Sequence, residues 1–398
     1  MGTRLRFHMF LLATCFAAFG WPSAPFAALD PDVAGLIAQV DTDSLGASAR
    51  RLVGFGTRFI GSDSNAAAVG WLAGRAEGFG YESVRLDTFL VTVDRRLTVR
   101  VDGKSVSNRY VFQETPQCNV VVTKPGVLRS RRKIVVGGHY DTISIDRIQA
   151  AQDVAPGADD NASGVAAMLE IARVLSSVPL EATVEFVFFG AEELGLVGSR
   201  AYVQQASERS DDIVAMLQLD SIGSRSAVFT DAFTIDTIGP YLSVAEGIAQ
   251  AVEDYTSVRS RDATGGRIYI TSRGSQFSDH QSFIDAGYPG IGILQYVDNP
   301  ILHLNTSTDT LAFLDTEFAA EIARGTLAGL LDIAGFPARS PDFDGDGSVA
   351  MPDFLVLVQH YGGPVHTGNE YLDLDRDGWL GFADFLMFAE NYGRSFGP

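Results

Sequence analysis

The sequence has 398 residues, which exceeds one ordinary domain of about 150 residues and predicts two or more folding units. Hydrophobic residues make up 46% of the chain and charged residues 20%, a balance that supports a sizeable buried core and excludes wholesale disorder. The 30 Lys and Arg residues and 49 Asp and Glu residues give a formal net charge of -19, which repels phosphate backbones, so no nucleic-acid partner is expected.

The first 28 residues have the pattern of a secretory signal peptide. Arg4 and Arg6 precede an apolar run from about Phe7 to Trp21, and the segment from Pro22 to Ala28, which ends in Ala27-Ala28, follows. An apolar run of about 15 residues is shorter than the roughly 20 that a membrane span needs. We therefore expect a secreted protein (extracellular, at the cell surface or periplasmic) with no membrane span once residues 1–28 are removed.

From residue 29 to residue 336, apolar strand-like runs alternate with helical patterns, which is typical of an α/β domain. The strand candidates are Asn119 to Thr123, Lys133 to Val136, Thr183 to Phe189, Ala215 to Leu219 and Gly290 to Leu294. The helix candidates are Ser64 to Phe79, Ser163 to Ser177, Leu242 to Asp254 and Thr316 to Ala334.

Side chains able to bind metal or move protons follow several of these runs. The run from Lys133 leads into His139 and Asp141, and alternation along an extended chain puts these two on the same side. In open α/β sheets, such groups gather at the carboxyl ends of the strands. Two histidines and three carboxylates there could hold two divalent ions, and mixed nitrogen and oxygen donors favour zinc over calcium. The further candidates are Asp160, Glu192, Glu193, Asp220 and His303.

Five motifs, the first four of which contain candidate residues, occur in one order along the chain: Gly137 to Thr142, Gly157 to Gly164, Phe189 to Gly195, Leu219-Asp220 and Ser278 to His280. Together they resemble the co-catalytic zinc exopeptidases, the relatives of bacterial leucyl aminopeptidases, plasma glutamate carboxypeptidase and glutaminyl cyclase. The resemblance spans roughly residues 50–335. It implies a three-layer α/β/α sandwich with a mixed, mostly parallel central sheet, and we assign residues 29–336 to this catalytic domain.

The resemblance also implies a ligand set for two zinc ions. Asp160 would bridge the ions, Glu193 and His303 would complete one site, and His139 and Asp220 would complete the other. The last ligand departs from the family pattern, in which a histidine precedes Asp-Thr by four positions. Alignment on Asn299-Pro300 selects His303, whereas alignment on Asp309-Thr310 selects Asn305. We predict His303, because zinc sites favour imidazole over an amide; with Asn305 the second metal would be weakly held.

The same resemblance implies the chemistry. Zinc would lower the pKa of a bound water towards about 7 and polarise the scissile carbonyl. Glu192 would act as general base and return the proton to the leaving amine, and Asp141 would orient His139. The expected activity is that of an aminopeptidase acting on peptide substrates. The alternatives are a carboxypeptidase or glutaminyl cyclase of the same family, or a non-catalytic binding ectodomain.

The C-terminal tail, residues 342–398, follows a short linker at residues 337–341 and contains an internal repeat of 31 residues. Each copy has carboxylates at loop positions 1, 3, 5 and 12 and a glycine at position 6, a pattern that suits a calcium ion in a tight loop. An apolar segment follows each loop. The predicted calcium ligands are Asp342, Asp344, Asp346 and Asp353 in the first copy, and Asp373, Asp375, Asp377 and Asp384 in the second.

Duplicated loop-helix segments of this size, with Asp at position 12, resemble a dockerin module over about 55 residues. The resemblance implies a small α-helical module with two bound calcium ions and raises the possibility of a cohesin-like protein partner. Positions 10 and 11 of the loops, which contact the partner in that family, carry Met351-Pro352 and Phe382-Ala383 rather than polar pairs.

Overall fold

The computed structural model describes residues 30–101, 104–146, 151–261, 266, 268–271, 278–296, 303–366 and 368–395. Residues 32–338 form one compact unit, and the residues from Arg339 onward belong to a second. The predicted signal peptide at residues 1–28 lies outside the described residues. Among the helices that are described, none combines the length and the apolar character that a membrane crossing requires.

One mixed sheet runs through the first unit. Within the described ranges its strands are β1 (Ser83–Val101), β2 (Lys104–Lys124), β3 (Arg129–His139), β4 (Ala182–Phe189), β5 (Asp212–Asp220), β6 (Ala232–Ile238), β7 (Arg259–Ser260), β8 (Tyr269–Thr271) and β9 (Gly290–Gln295). Their order is β1-β2-β4-β3-β5-β9-β6-β7, with β8 beside β6. Strands β4, β3, β5 and β9 are parallel, whereas β1, β2 and β6 run antiparallel to a neighbour. The predicted α/β class with a mixed sheet is confirmed.

Helices cover both faces of this sheet. The helices of the unit are α1 (Pro31–Ile37), α2 (Thr42–Val53), α3 (Asp63–Gly78), α4 (Gly164–Leu175), α5 (Val197–Arg209), α6 (Leu242–Tyr255), α7 (His280–Asp285) and α8 (Thr316–Ala334). Successive residues of β3 point to opposite faces. Ile134 and Val136 belong to the larger core with α2, α4 and α8, while Val135 packs with Tyr202 of α5 and Phe283 of α7. Burial on both faces explains why the central strands read as continuous apolar runs.

The structure contains the predicted helices and strands, and one strand, predicted at Asn119 to Thr123, is much longer than expected. All five predicted strands and all four predicted helices are present, with shifts of a few residues at their ends. However, Asn119 to Thr123 is only the last part of β2, which pairs with β1 along a hairpin from Ser83 to Lys124. Much of this hairpin is exposed and polar, so it has no continuous apolar run that would mark it in the sequence.

The second unit contains two short helices, α9 (Met351–His360) and α10 (Phe382–Asn391), and a pair of two-residue strands, β10 (Gly363–Pro364) and β11 (Trp379–Leu380). Leu357 of α9 and Phe388 of α10 belong to a small buried core. The carboxylate of Asp353 accepts hydrogen bonds from the amides of Phe343 and Ala350 at 2.6 and 2.8 Å. Asp384 does the same in the second copy, so position 12 of each loop ties the loop to the start of its helix.

Candidate metal centre

Side chains from neighbouring parallel strands meet at the carboxyl end of the sheet. His139 is the last residue of β3, Asp220 is the last residue of β5, and Glu192 follows β4. His139 Nε2 lies 3.1 Å from Asp160 Oδ1, 3.3 Å from Asp220 Oδ1 and 4.0 Å from Glu192 Oε2. The structure therefore brings together four of the residues that the sequence singled out.

The imidazole of His139 is oriented by Asp141. His139 Nδ1 lies 3.1 Å from the backbone carbonyl oxygen of Asp141, which can only accept, so Nδ1 carries the proton and Nε2 is left for a metal. The Asp141 carboxylate instead accepts from the amides of Glu192 and Glu193, at 3.0 and 3.3 Å. The sequence predicted that Asp141 orients His139. It did not predict that the Asp141 carboxylate fixes the turn that carries Glu192 and Glu193.

Asp160 lies in a tight turn, Ala158–Ser163, just before α4. The peptide bond between Asp160 and Asn161 is cis. The Asn161 side chain joins this turn to the end of β5: its Nδ2 donates to the Leu219 carbonyl at 2.9 Å, and its Oδ1 accepts from the Ser221 amide at 3.2 Å. Since Leu219 and Ser221 flank Asp220, Asn161 couples the positions of Asp160 and Asp220.

The electrostatics of the cluster favour a bound cation. Burial and the charges of Asp279 and Asp220 raise the pKa of Glu192 well above its ordinary value, although His139 opposes this. Burial and the charges of Asp160 and Glu192 raise the pKa of Glu193 in the same way. A buried group of like-charged carboxylates is costly unless a cation neutralises it.

The donor set fits zinc. One ligand atom each from His139, Asp160 and Asp220 lie within 4.8 Å of one another, and so do atoms from His139, Glu192 and Glu193. Imidazole nitrogen and carboxylate oxygen are both zinc donors, and the mixture is poorly suited to calcium, which takes oxygen ligands. The two groups share His139, so they form one continuous cluster.

His303 is predicted as a ligand beside Glu193, but in the structure its imidazole faces Asp159 and belongs to neither group of donor atoms. Its Nε2 is 3.4 Å from Asp159 Oδ2, and its ring stacks on Phe313 with centroids 4.3 Å apart. The side chain beside Glu193 is that of Asn305, whose amide comes within 2.8 and 2.6 Å of the two carboxylate oxygens. The preference for His303 followed the generic preference of zinc for imidazole, whereas the path of the loop places Asn305 beside Glu193.

Sequence reasoning missed Asp159, which is fully buried beside the cluster. Its carboxylate accepts from the Gly223 amide at 2.8 Å, the Ser224 hydroxyl at 2.7 Å and Gln295 Nε2 at 2.8 Å. These partners lie 64 to 136 residues further along the chain, so no local pattern could reveal them. Asp159 holds the loops around the centre together.

The cluster opens into a cavity of about 880 Å³. Ile145, Leu194 and Leu294 supply apolar wall, while Arg95 of β1 and Arg200 of α5 supply positive charge. Such a concave space beside candidate metal ligands is large enough for a short peptide segment.

The acidic loops of the tail form two further clusters, described within the second unit alone. Ligand atoms of Asp342, Asp344 and Asp353 lie within 4.8 Å of one another, as do those of the matching residues in the second copy, Asp373, Asp375 and Asp384. The predicted ligands at position 5 are not members of these groups. Asp346 Oδ1 accepts from the Ser348 amide and Asp377 Oδ1 accepts from the Trp379 amide, each at 2.8 Å.

A sequence model described as peptidase family M28 matches residues 119–330, which include all the residues of the cluster. A probable zinc metalloprotease of Pyrenophora teres f. teres is 29% identical over 360 residues, covering 80% of this chain and 72% of the relative. Leucine aminopeptidase 1 of Grosmannia clavigera is 27% identical over 328 residues, covering 78% of this chain and 72% of the relative.

The fold is also similar to solved structures. The structure of BSAP, a zinc aminopeptidase from Bacillus subtilis, superposes with a TM-score of 0.59 at 18% sequence identity. The match covers 74% of this chain and 95% of that protein. At this level of identity the likeness shows a shared fold.

Proposed function

This chain belongs to peptidase family M28, and on that premise we propose that it is a zinc-dependent aminopeptidase that releases N-terminal residues from peptides. One observation carries the proposal: His139 Nε2 faces Asp160 and Asp220 at 3.1 and 3.3 Å, with Glu192 at its edge. Such a group can hold a metal and supply a proton acceptor in the same cavity.

His139, Asp160, Asp220 and Glu193 would hold the metal. We infer two zinc ions, one held by His139 and Asp220 and one by Glu193, with Asp160 shared. The support is that one donor atom each from His139, Asp160 and Asp220 lie within 4.8 Å of one another, and that Glu193, besides being buried, is near enough to Asp160 for the charge of Asp160 to raise its pKa. When bound, zinc supplies a Lewis acid that polarises a carbonyl and brings the pKa of water to about 7.

Glu192 is placed to move the proton. Its carboxylate lies at the wall of the cavity, with Oε2 4.0 Å from His139 Nε2, where it could accept a proton from the attacking water. A C–O bond forms as the peptide C–N bond breaks, and Glu192 passes the proton to the departing nitrogen. The products are a free amino acid and a peptide with a new N-terminal amine.

Asp141 positions the metal-binding side chain of His139 and also the turn that carries Glu192 and Glu193. Its carbonyl holds the Nδ1 proton of His139, and its carboxylate holds the amides of Glu192 and Glu193. The glutamates are neighbours in sequence, but they follow a turn in which Ala191 has a φ of 57°, so their side chains can take different directions.

A substrate panel tests the proposed reaction. Purified protein should hydrolyse aminoacyl chromogenic substrates with a free α-amine and should leave N-blocked peptides intact. Release of C-terminal residues instead would identify a carboxypeptidase, and cyclisation of N-terminal glutamine would identify a glutaminyl cyclase. Hydrolysis of none of these substrates would contradict the proposal and favour a binding ectodomain.

We also propose that the protein is secreted, to the extracellular space, the cell surface or the periplasm. The support is the signal-peptide pattern of residues 1–28. The mass of the mature protein from an exporting host should correspond to a chain that starts near residue 29. A mature protein that keeps its first residue would contradict this.

For residues 342–398, we propose a dockerin-like module that binds two calcium ions. The support is the repeat of the acidic positions and the matching carboxylate groups in both loops. Arg376 lies inside the second loop. Because bound calcium should hold this loop in one conformation, it should slow tryptic cleavage after Arg376. Asp373→Asn should abolish this protection, whereas protection that is independent of calcium would contradict the proposal.

The module presents repeated apolar side chains that suit a protein partner. Met351 and Phe382 occupy equivalent positions in the two copies and are 53% and 64% exposed. We propose that a cohesin-like partner docks on this pair. Calcium-dependent binding to a recombinant cohesin that is lost in the Met351→Asp, Phe382→Asp double variant would support this, and no binding to a cohesin panel would contradict it.

A further inference from the structure

The side chain next to Glu193 is the amide of Asn305, although zinc sites prefer imidazole to an amide. We propose that the side-chain oxygen of Asn305 is a metal ligand, so that the second metal position of this chain has oxygen donors only. This inference rests on the proposed function, because it concerns the metal shared by Asp160 and Glu193.

The contact between Asn305 and Glu193 is the first observation. The end of the amide lies 2.8 and 2.6 Å from the two carboxylate oxygens of Glu193. With the nitrogen facing Glu193, Asn305 donates to both oxygens. With the oxygen facing Glu193, two acceptors meet at a distance that needs either a cation beside them or a proton on Glu193. Rotation of the amide by half a turn converts one arrangement into the other.

The loop that carries Asn305 is anchored at Asn305 and at the residues that follow it, which is the second observation. The carbonyl of Asn305 accepts from the Ile145 amide at 2.9 Å, and Ser307 donates to Asp146 from its amide at 2.9 Å and its hydroxyl at 2.7 Å. Further along, Asp309 accepts from the Asp160 amide at 3.0 Å. These bonds hold Asn305 close to Glu193 and tie its loop to Asp160.

The backbone at Asn305 also suits the residue. Its φ of 58° lies in the left-handed region, where asparagine, aspartate and histidine are several times more frequent than other side chains with a Cβ. Histidine at this position is therefore compatible with the loop, which makes Asn305→His a usable probe.

His303 does not compete for this role. Its ring stacks on Phe313 and its Nε2 faces Asp159, whose carboxylate is already engaged with Gln295 and Ser224. The replacement His303→Phe keeps an aromatic ring on Phe313 and removes both nitrogens, so it is the matched control.

The chemical consequence concerns metal preference. Carboxylate and amide oxygens are hard donors that suit magnesium, calcium and manganese, whereas imidazole suits zinc. The position beside Glu193 should therefore hold zinc less tightly than the position of His139. The ratio of zinc affinity to manganese affinity should also be smaller there.

Zinc titration of the metal-free full chain tests the proposal without any substrate. Calcium is left out, because it would compete for a position with oxygen donors only. Zinc bound by the acidic loops of the tail is identified by its loss in an Asp342→Asn, Asp373→Asn double variant, and calorimetry gives the number of zinc ions and a Kd for each. The wild-type chain should bind one zinc tightly and a second at least about tenfold more weakly. Asn305→His should tighten the second zinc by about tenfold or more, the size of effect typical of changes around a metal ligand, and should raise its preference over manganese.

The first zinc serves as the control for folding, since its Kd should be the same in every variant. His303→Phe should leave both Kd values within about twofold of the wild type. A second zinc that is lost in His303→Phe, or unaffected in Asn305→His, would overturn the assignment. Because the readout is metal binding, a chain that binds both metals but hydrolyses no peptide would contradict the proposed function and leave this inference intact.

Discussion

The carboxylate of Asp309 accepts a hydrogen bond from the backbone amide of Asp160, with Oδ2 3.0 Å from the nitrogen. The same side chain accepts from the amide of Asp159 at 3.0 Å. One buried carboxylate thus holds the turn that presents Asp160, and it does so from the loop that carries Asn305. The two sides of the metal centre are connected through this contact.

Replacing Asp309 by Asn should weaken metal binding. The amide keeps one acceptor oxygen, but its NH2 group faces a backbone N–H that then has no acceptor. We expect zinc affinity to fall by about 10- to 100-fold, as is typical when the support of a metal ligand is removed. Calorimetric zinc titration measures the change, with the exposed Asp332→Asn as control. Equal affinities in the two variants would show that the contact has no role in metal binding.

Glu192→Gln should separate metal binding from turnover. The amide has nearly the same volume but cannot accept a proton, so kcat should fall by about 100- to 10,000-fold. Zinc content measured by mass spectrometry should stay at the wild-type ratio. Glu208→Gln, on the exposed face of α5, is the control and should keep full activity. A Glu192→Gln variant with wild-type kcat would remove Glu192 from the mechanism.

Arg58 should be important for stability. Its guanidinium is fully buried and donates to the carbonyls of Tyr140, Pro156 and Gly157 at 2.7, 2.8 and 2.9 Å. Arg58→Met removes the Arg58 donor from all three carbonyls, of which that of Gly157 still accepts from the Ala162 amide at 3.1 Å, and we expect a loss of about 3 kcal/mol or more in the free energy of unfolding. Denaturant unfolding compares it with the exposed Arg131→Met, which should change stability by less than about 0.5 kcal/mol. Equal effects would contradict this role.

Glu185 should make stability depend on acid pH. Burial alone would raise the pKa of Glu185, but Lys133, the Tyr202 hydroxyl and Arg85 together lower it below the ordinary value of 4.5. A lowered folded-state pKa contributes stability that is present above pH 4.5 and is lost as the pH falls through the folded value.

The free energy of unfolding of the wild type should therefore drop more steeply than that of Glu185→Gln as the pH falls below about 4.5. Denaturant unfolding across this range measures both slopes. Parallel curves for the two proteins would show that Glu185 titrates alike in the folded and unfolded states.

Much of the fold was predictable because its signals are local. The runs that became β3, β4 and β5 are apolar on both faces, and their polar ends supplied His139 and Asp220. The same reasoning could not find the exposed hairpin of β1 and β2, because its stability comes from pairing between strands and not from an apolar run.

The candidate site was likewise predictable where its signals are local, and was not predictable where they depend on contacts between distant residues. The cluster of His139, Asp160 and Asp220 was predicted from residues at strand ends and from a resemblance. The sequence favoured His303 over Asn305 as the last ligand, whereas Asn305 is the residue that contacts Glu193. That choice depends on where a loop is tied down, and the bonds that decide it join residues 149 positions apart in sequence.

The most direct test of the proposed activity is to remove and restore zinc in the purified full chain. Hydrolysis of an aminoacyl chromogenic substrate and the zinc content are measured in the same samples. We expect hydrolysis to disappear as a chelator removes zinc and to return when zinc is added back. Undiminished hydrolysis by protein that contains no zinc would contradict a zinc-dependent aminopeptidase.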